Sequence, residues 1–288
     1  EIYQCDWSSD VCSSDLEKVW EVAPGSASEP GVIYATVESA ALFKSTDMGD
    51  SWELVGGLRE GPWMDQWFPA AGGLCAHSIL QHPQDAKKLW VSVSSGGMYA
   101  TEDGGATWEP RNHGVRANFT PDQPPVYPDY GQCVHRAGMH PSMPDRIYQQ
   151  NHCGVYRSDD AGRNWTEISE GLPSDWGLPM VVHSHDPNTL YVSPATSGYQ
   201  HWPKDGQFAV YRSRTAGATW ERLPIGLPSG GAFLNVHREG LAVDQEDTCG
   251  VYVGANTGQL WLSRDEGNTW QEAPIMLPGI SSVTAFSL

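Results

Sequence analysis

Two Cys-x-His pairs are the residues of this chain whose types and spacing best suit metal binding. They are Cys75 with His77, and Cys133 with His135. Residues i and i+2 of a β-strand lie on one face, so each pair would present a thiol and an imidazole together. His152 or Cys153 could complete a zinc-type ligand set. Because Cys-x-His is not a recognised close-spaced zinc signature and small cysteines pack well in cores, we predict no metal and no cofactor, with the two pairs as the alternative ligands.

Three carboxylates could supply the acid–base chemistry of glycoside hydrolysis. They are Glu239, Asp65 and Glu38. That reaction needs two carboxyl groups roughly 5 to 10 Å apart across the scissile bond, one of them kept protonated by burial. The repeats described below can be aligned, and Glu239 then falls at the position of His77 and His135. We therefore predict that all three side chains face the central channel around which the repeats are arranged. The alternative for each carboxylate is a solvated loop or a structural hydrogen bond.

Polar and aromatic residues in the loops suit the binding of a sugar. The candidate ligand-binding residues are His77, His135, Gln150, Asn151, His152, Gln66, Trp67 and Arg238. Three tryptophans could stack on pyranose rings, namely Trp67, Trp176 and Trp202. The alternative for each is a place in the core, which is where tryptophans are more often found.

Five copies of the pattern S/T-x-x-x-G-x-S/T/N-W organise the chain around these residues. The copies begin at Ser45, Thr101, Ser158, Ser213 and Ser263. A period of about 50 residues indicates stacked copies of one supersecondary unit. Four copies carry an aspartate at the third position, namely Asp47, Asp103, Asp160 and Asp265, and the fourth copy has Thr215. A carboxylate accepts hydrogen bonds from turn amides and the following glycine takes a positive φ, so we predict structural turns without a catalytic role, weakest in the fourth copy.

Each copy follows two short apolar segments and ends in a tryptophan. In the third copy the segments are Arg146-Ile147-Tyr148 and Gly154-Val155-Tyr156-Arg157. The repeating unit is therefore four antiparallel strands, with the repeat turn before the last strand. Radial repetition of such sheets makes a β-propeller. We predict an all-β propeller with five complete four-stranded blades, and with the recurrent tryptophan packed between neighbouring blades.

The repeats resemble the Asp-box, or bacterial neuraminidase repeat, propellers, whose consensus S-x-D-x-G-x-T-W they match closely. Segments such as Gly131-Gln132-Cys133-Val134-His135 also resemble bacterial proteins described as sialidase-like or WD40/YVTN/BNR-like repeat proteins. The resemblance covers residues 17–288 and implies a propeller fold and a superfamily, not a reaction. Sialidases need an arginine triad and an Arg-Ile-Pro motif. The chain has no such motif, no convincing triad forms from Arg59, Arg116 and Arg238, and Arg136 is expected to point away from His135.

The segments at the two ends of the chain do not follow the repeat pattern. Residues 1–16 lack strand periodicity, and Asp6 to Leu16 resembles the translation of a sequencing-adapter oligonucleotide. We therefore interpret 1–16 as a non-native segment and 17–288 as one partial propeller domain of a truncated protein. The segment Gly279 to Phe286 is typical of a lone inner strand without its blade partners. It predicts a parent of about seven blades, within the usual range of four to eight.

Composition and net charge indicate which kinds of partner the protein can bind. The net charge of −18 argues against nucleic acid, and the chain has no apolar run near the ~20 residues of a membrane helix. We expect a carbohydrate or small-molecule ligand, no nucleic acid, no membrane and a monomer. The four cysteines outside 1–16 are too few for a disulfide scaffold, which favours the cytoplasm.

Two functions of different classes are consistent with these residues. The first is a sialidase-like glycoside hydrolase acting on a glycan at the central channel face. The alternative is a non-catalytic propeller that binds a protein partner or a glycan, as sorting receptors and assembly factors do. The missing sialidase arginine pattern favours the second, whereas the His, Gln and Asn residues on one predicted face favour a small-molecule site.

Overall fold

The computed structural model describes residues 18–69, 73–119 and 123–286. The interpretation of residues 1–16 therefore lies outside the described part. The described residues form five four-stranded sheets, and in each sheet the strands are hydrogen-bonded in chain order. All neighbouring strands are antiparallel, which is the arrangement of propeller blades. The chain divides into two compact units, the first ending at Arg111 and the second beginning at Asn112.

The first unit contains two of the sheets. The first sheet consists of β1 (Val19–Pro24), β2 (Ile33–Val37), β3 (Ala41–Ser45) and β4 (Glu53–Leu54). The second sheet consists of β5 (Ala76–Gln81), β6 (Leu89–Val93), β7 (Gly97–Thr101) and β8 (Glu109–Pro110). Every residue of β6 and β7 is buried, so both faces of the second sheet are covered.

The second unit contains the other three sheets. The third sheet consists of β9 (Val134–Met139), β10 (Ile147–Asn151), β11 (Gly154–Ser158) and β12 (Thr166–Glu167). The fourth sheet consists of β13 (Gly177–Val182), β14 (Leu190–Pro194), β15 (Val210–Ser213) and β16 (Glu221–Leu223). The fifth sheet consists of β17 (Leu241–Val243), β18 (Val251–Gly254), β19 (Leu260–Ser263) and β20 (Gln271–Glu272).

Apolar side chains from neighbouring sheets form shared cores in the second unit. Tyr148 and Val155 of the third sheet pack with Met180 and Val192 of the fourth. A second core joins the fourth sheet to the fifth and includes the fully buried Trp261. Burying a large apolar side chain stabilises a fold by roughly 1.5–3 kcal/mol, so these cores hold the three sheets in one unit.

The predicted repeat turns are confirmed by their hydrogen bonds. Ser45 Oγ donates to Asp47 Oδ1 (2.7 Å) and accepts from the Gly49 amide (2.8 Å). The Ser51 amide donates to the same carboxylate oxygen at 2.9 Å. Gly49 has φ 98°, which favours glycine. The same pattern surrounds Asp103, Asp160 and Asp265.

The fourth repeat keeps the turn with a neutral acceptor. Thr215 Oγ1 accepts from the Thr219 amide at 2.9 Å, in place of the carboxylate. The recurrent tryptophan of this copy, Trp220, donates from Nε1 to the Ile168 carbonyl (2.8 Å) at the end of the third sheet. In the second unit this tryptophan therefore packs between neighbouring blades, as predicted. Each recurrent tryptophan immediately precedes the fourth strand and does not belong to it.

The segment after β20 differs from the predicted lone strand. It forms a single parallel bridge between Ser282 and Glu239, supported by a hydrogen bond from the Val283 amide to the Glu239 carbonyl (2.7 Å). Its Ile280 side chain is buried.

Within the described residues, helical structure is limited to short connections. In the described ranges the helical segments are 3-10 helices at Gly56–Arg59, Met64–Gln66 and Lys204–Gly206. None of the described helices has the length and apolar character needed to cross a membrane.

Candidate functional site

A cleft of about 340 Å³ opens among four loops of the second unit. Its lining residues are Arg116, Asn118 and Phe119 before β9, His152 and Cys153 between β10 and β11, Asp175 and Trp176 before β13, and Thr196, Ser197, Gly198 and Tyr199 after β14. The loops that follow β10 and β14 meet here because each is the turn after the second strand of its sheet. Chain-order pairing places such turns at the same end of adjacent blades.

Aromatic rings form the wall and floor of the cleft. Trp176 is buried, and its ring stacks on His201 with centroids 4.7 Å apart. Its edge contacts His152 at 6.1 Å, and Phe119 meets the same imidazole at 5.4 Å. Tyr199 is 76% exposed at the rim. A rigid aromatic surface with a few polar groups is typical of small-molecule and sugar sites.

One cation holds the charged side of the cleft together. Arg116 makes a bidentate ion pair with Glu167, at 2.7 and 3.0 Å, and contacts Asp175 at 3.1 Å. Burial alone would lower the pKa of Arg116, but the hydrogen bonds and charges of its partners raise it overall. Arg116 is therefore a permanent cation that two carboxylates share.

The His152 imidazole and the Cys153 thiol are both uncharged at neutral pH. Burial lowers the pKa of His152, although the negative charge of Asp175 opposes this shift. Burial raises the pKa of Cys153 to about 12, so its thiol is protonated. That thiol donates to the Asn118 carbonyl at 3.3 Å.

Three of the candidate metal ligands come together beneath the cleft. One ligand atom from each of Cys133, His135 and His152 lies within 4.8 Å of the other two. The His135 Nδ1 atom lies 2.6 Å from the Gly177 carbonyl oxygen. The first Cys-x-His pair lies in the other unit, where Cys75 and His77 are buried. Among the described residues, that pair belongs to no such three-residue group.

Glu239 lies in the second unit beside a cation. Its Oε1 atom is 3.6 Å from Arg136 Nη1, and both side chains are about one-quarter exposed. The long Arg136 side chain extends from β9 to Glu239, and the expectation that it points away from His135 stays a prediction. Arg238, the neighbour of Glu239, is partly buried.

The other two candidate carboxylates lie in the first unit. Glu38 pairs with Lys18 at 2.9 Å. Asp65 and Gln66 belong to the 3-10 helix Met64–Gln66 and are exposed to solvent. The catalytic roles of Glu38 and Asp65 and the ligand-binding role of Gln66 stay predictions.

Three candidate ligand-binding residues have structural contacts instead. Gln150 is buried and donates from Nε2 to the carbonyls of Asn151 (2.9 Å) and Asp175 (3.2 Å). Asn151 is also buried, and its Oδ1 accepts from the Cys153 amide (3.2 Å). The buried Trp67 donates from Nε1 to the Tyr99 hydroxyl (2.7 Å). Each of these side chains satisfies a buried polar group or fills a core, and its role in ligand binding stays a prediction.

Sequence reasoning missed several residues of the cleft. Asp175 directly precedes Trp176, whereas Asp65 lies two positions before Trp67, so no shared spacing marked Asp175 in the sequence. Phe119 and Tyr199 lie in irregular loops, and no period of the sequence marks them.

The fold is that of a β-propeller protein, and the second unit contains a cleft that aromatic residues of its loops line. No family model matches the chain. It is similar to the xyloglucanase Xgh74A of Acetivibrio thermocellus, at 23% identity over 292 residues, covering 86% of this chain and 32% of the relative. It is also similar to a xyloglucanase of a Paenibacillus species, at 26% identity over 259 residues, covering 81% of this chain and 23% of the relative.

The solved structures agree on the fold. The GH74 xyloglucanase of Xanthomonas campestris superposes with a TM-score of 0.59 at 17% identity, covering 90% of this chain and 39% of that enzyme. The β-propeller prediction is therefore confirmed. The chain spans about a third or less of the length of these curated relatives. The sialidase-like resemblance stays a prediction.

Proposed function

We propose that this protein binds a neutral polysaccharide of the xyloglucan type in the cleft around Trp176, as part of a propeller glycoside hydrolase. The observation that carries the proposal is the pair of accessible rings at one loop site, the partly exposed Phe119 and the exposed Tyr199, with the buried Trp176 also lining the cleft. Flat rings of this kind pack against the apolar faces of pyranoses. The similarity to proteins named xyloglucanases supports the choice of glycan.

The charges of the cleft favour a neutral glycan over an acidic one. Among the described residues that line the cleft, Arg116 is the cation, and it is already paired with Glu167 and Asp175. The net charge of −18 adds long-range repulsion toward anionic sugars. A sialic acid or uronic acid carboxylate would therefore gain little here.

A specific observation favours the non-catalytic alternative. Both Glu167 and Asp175 contact the Arg116 guanidinium, and an ion-paired carboxylate is poorly suited to act as the protonated acid of a glycosidase. The same argument applies to Glu239, which pairs with Arg136 at 3.6 Å, and to Glu38, which pairs with Lys18 at 2.9 Å. The catalytic roles of Glu239, Asp65 and Glu38 therefore stay predictions. A glycan-binding propeller without turnover is the second candidate function.

Calorimetric titration with xyloglucan oligosaccharides tests the binding site. We expect Trp176→Ala to weaken binding by about tenfold or more, because its buried ring packs against His152 and His201 and so shapes the cleft. Tyr199→Ala should weaken it several-fold without unfolding the protein, because this side chain is largely exposed. Trp202→Ala is the matched control, since Trp202 does not line the cleft. Equal affinity in all four proteins, or no affinity in the wild type, would overturn the proposal.

Release of reducing ends from the same glycan separates the two candidates. Turnover that Glu239→Gln abolishes, while glycan affinity is kept, would support the hydrolase. The exposed Glu272→Gln variant is the control for the loss of a carboxylate. Binding without turnover in the wild type would favour the non-catalytic propeller.

A further inference from the structure

The third sheet brings three possible metal ligands close together, namely Cys133, His135 and His152. Cys133 immediately precedes β9, His135 is the second residue of that strand, and one ligand atom of each lies within 4.8 Å of the other. His152 follows β10, and its amide donates to the Cys133 carbonyl at 2.8 Å. Antiparallel pairing of β9 with β10 therefore brings the third ligand to the other two.

The contacts of His135 prepare it to bind a cation. Its Nδ1 atom lies 2.6 Å from the Gly177 carbonyl oxygen. A carbonyl can only accept, so this nitrogen carries the proton and Nε2 carries the lone pair. A metal-ligating histidine commonly makes such an outer hydrogen bond, which orients the ring and increases the basicity of the ligand nitrogen.

The surroundings suit a bound cation with one open coordination position. Cys133 and His135 are buried, whereas His152 is partly exposed and lines the cleft. The Trp176 ring packs edge-on against both imidazoles, at 5.5 and 6.1 Å, and its Nε1 donates to His152 Nδ1 at 3.4 Å, a hydrogen bond that a cation bound at this nitrogen would replace. A site with three protein ligands leaves the fourth tetrahedral position free, and here that position would face the cleft.

We propose that Cys133, His135 and His152 bind a zinc-type divalent cation at the floor of the cleft. Binding releases the Cys133 thiol proton to solvent, so a thiolate and two neutral imidazoles ligate the ion. Zinc–ligand bonds of 2.0–2.3 Å place tetrahedral ligand atoms about 3.5 Å apart. Small rotations of the side chains bring the present spacing, at most 4.8 Å, to that value. The site does not depend on the cleft binding a glycan.

Titration of the metal-free protein with cobalt(II) tests the site without any glycan. We expect the absorption bands of a tetrahedral thiolate-ligated cobalt ion, and their loss when zinc displaces cobalt. Cys133→Ser should remove the thiolate charge-transfer band. His152→Ala should weaken cobalt affinity by about 100-fold or more, since even outer contacts of a metal site are worth 10 to 100-fold. Cys249→Ser is the matched control, because Cys249 is also a buried free cysteine but belongs to no ligand group among the described residues.

The thermal midpoint of the wild-type protein gives a second readout that does not depend on a variant folding. Zinc should raise this midpoint and a chelator should reverse the rise, because a cation that binds the folded state stabilises it. An unchanged midpoint, or cobalt spectra that are the same in the wild type and in His152→Ala, would overturn the proposal. Loss of the glycan affinity with an intact cobalt spectrum would contradict only the proposed function.

Discussion

At the scale of single residues, Arg116 organises one wall of the cleft. Its guanidinium joins the loop before β9 to β12 and to the loop before β13, through Glu167 and Asp175. Bidentate arginine–carboxylate pairs are stronger and more directional than single contacts. Solvent weakens this one, because both carboxylates are more than one-third exposed.

We expect Arg116→Met to lower the free energy of unfolding by about 1 kcal/mol, because two carboxylates lose their shared partner. Arg116→Lys should recover part of this loss, since it keeps the charge but not the fork geometry. Urea unfolding followed by tryptophan fluorescence measures both. Arg214→Met is the control, as Arg214 forms a more exposed pair with Glu266. Equal losses at Arg116 and Arg214 would contradict a special role for Arg116.

At the scale of the element, the repeat turn is a self-contained unit. A serine or threonine hydroxyl, an aspartate carboxylate and a glycine with positive φ satisfy the amides between the third and fourth strands. The fourth copy substitutes the Thr215 hydroxyl, which accepts from the Thr219 amide and approaches the Thr219 hydroxyl at 2.9 Å. A hydroxyl lacks the second oxygen and the charge that strengthen these bonds in the other copies.

We expect Thr215→Asp to raise the thermal midpoint by about 2 °C, because a carboxylate could bind the Thr219 amide and hydroxyl with separate oxygens. The reverse exchange, Asp103→Thr, should lower the midpoint by a similar amount. Differential scanning calorimetry measures both shifts. A midpoint that falls or stays constant in Thr215→Asp would mean that the fourth turn has adapted to its hydroxyl.

At the scale of the whole molecule, the carboxylates of four repeat turns make the stability of the protein depend on pH. Hydrogen bonds from Ser51 and from Thr107 lower the pKa values of Asp47 and Asp103 to about 2. The pKa values of Asp160 and Asp265 are also lowered, since hydrogen bonds outweigh the opposing effect of burial. A carboxyl whose pKa is lower in the folded state stabilises the fold above its unfolded pKa, near 4, and this contribution is lost as the pH falls through about 2.

We therefore expect Asp103→Asn to destabilise the protein at pH 6 and to have little effect near pH 2, where the native carboxyl is itself becoming protonated. Urea unfolding at several pH values between 2 and 6 measures the difference between the two proteins. Thr215→Ala is the control, because its turn holds no carboxyl and its effect should not depend on pH. A loss from Asp103→Asn that is the same at both pH values would contradict this linkage.

The sequence by itself determined the repeating elements, because their contacts are local. In the repeat turn, the Thr107 amide and the Asp103 carboxylate that it contacts are four positions apart. The short apolar segments likewise pair with their chain neighbours, so five sheets in chain order follow from the pattern. The proximity of Cys133 to His135 was also readable, since only one residue separates them in the sequence.

Only the tertiary structure decided which loop residues form the cleft. Arg116 meets Glu167 and Asp175 across 51 and 59 positions, and the Gly177 carbonyl lies 42 positions from its partner His135. Which side chains meet over such separations depends on the course of irregular loops and on how adjacent blades pack, and neither leaves a period in the sequence. For the same reason the sequence did not show that Gln150 is buried and did not reveal Phe119 or Tyr199.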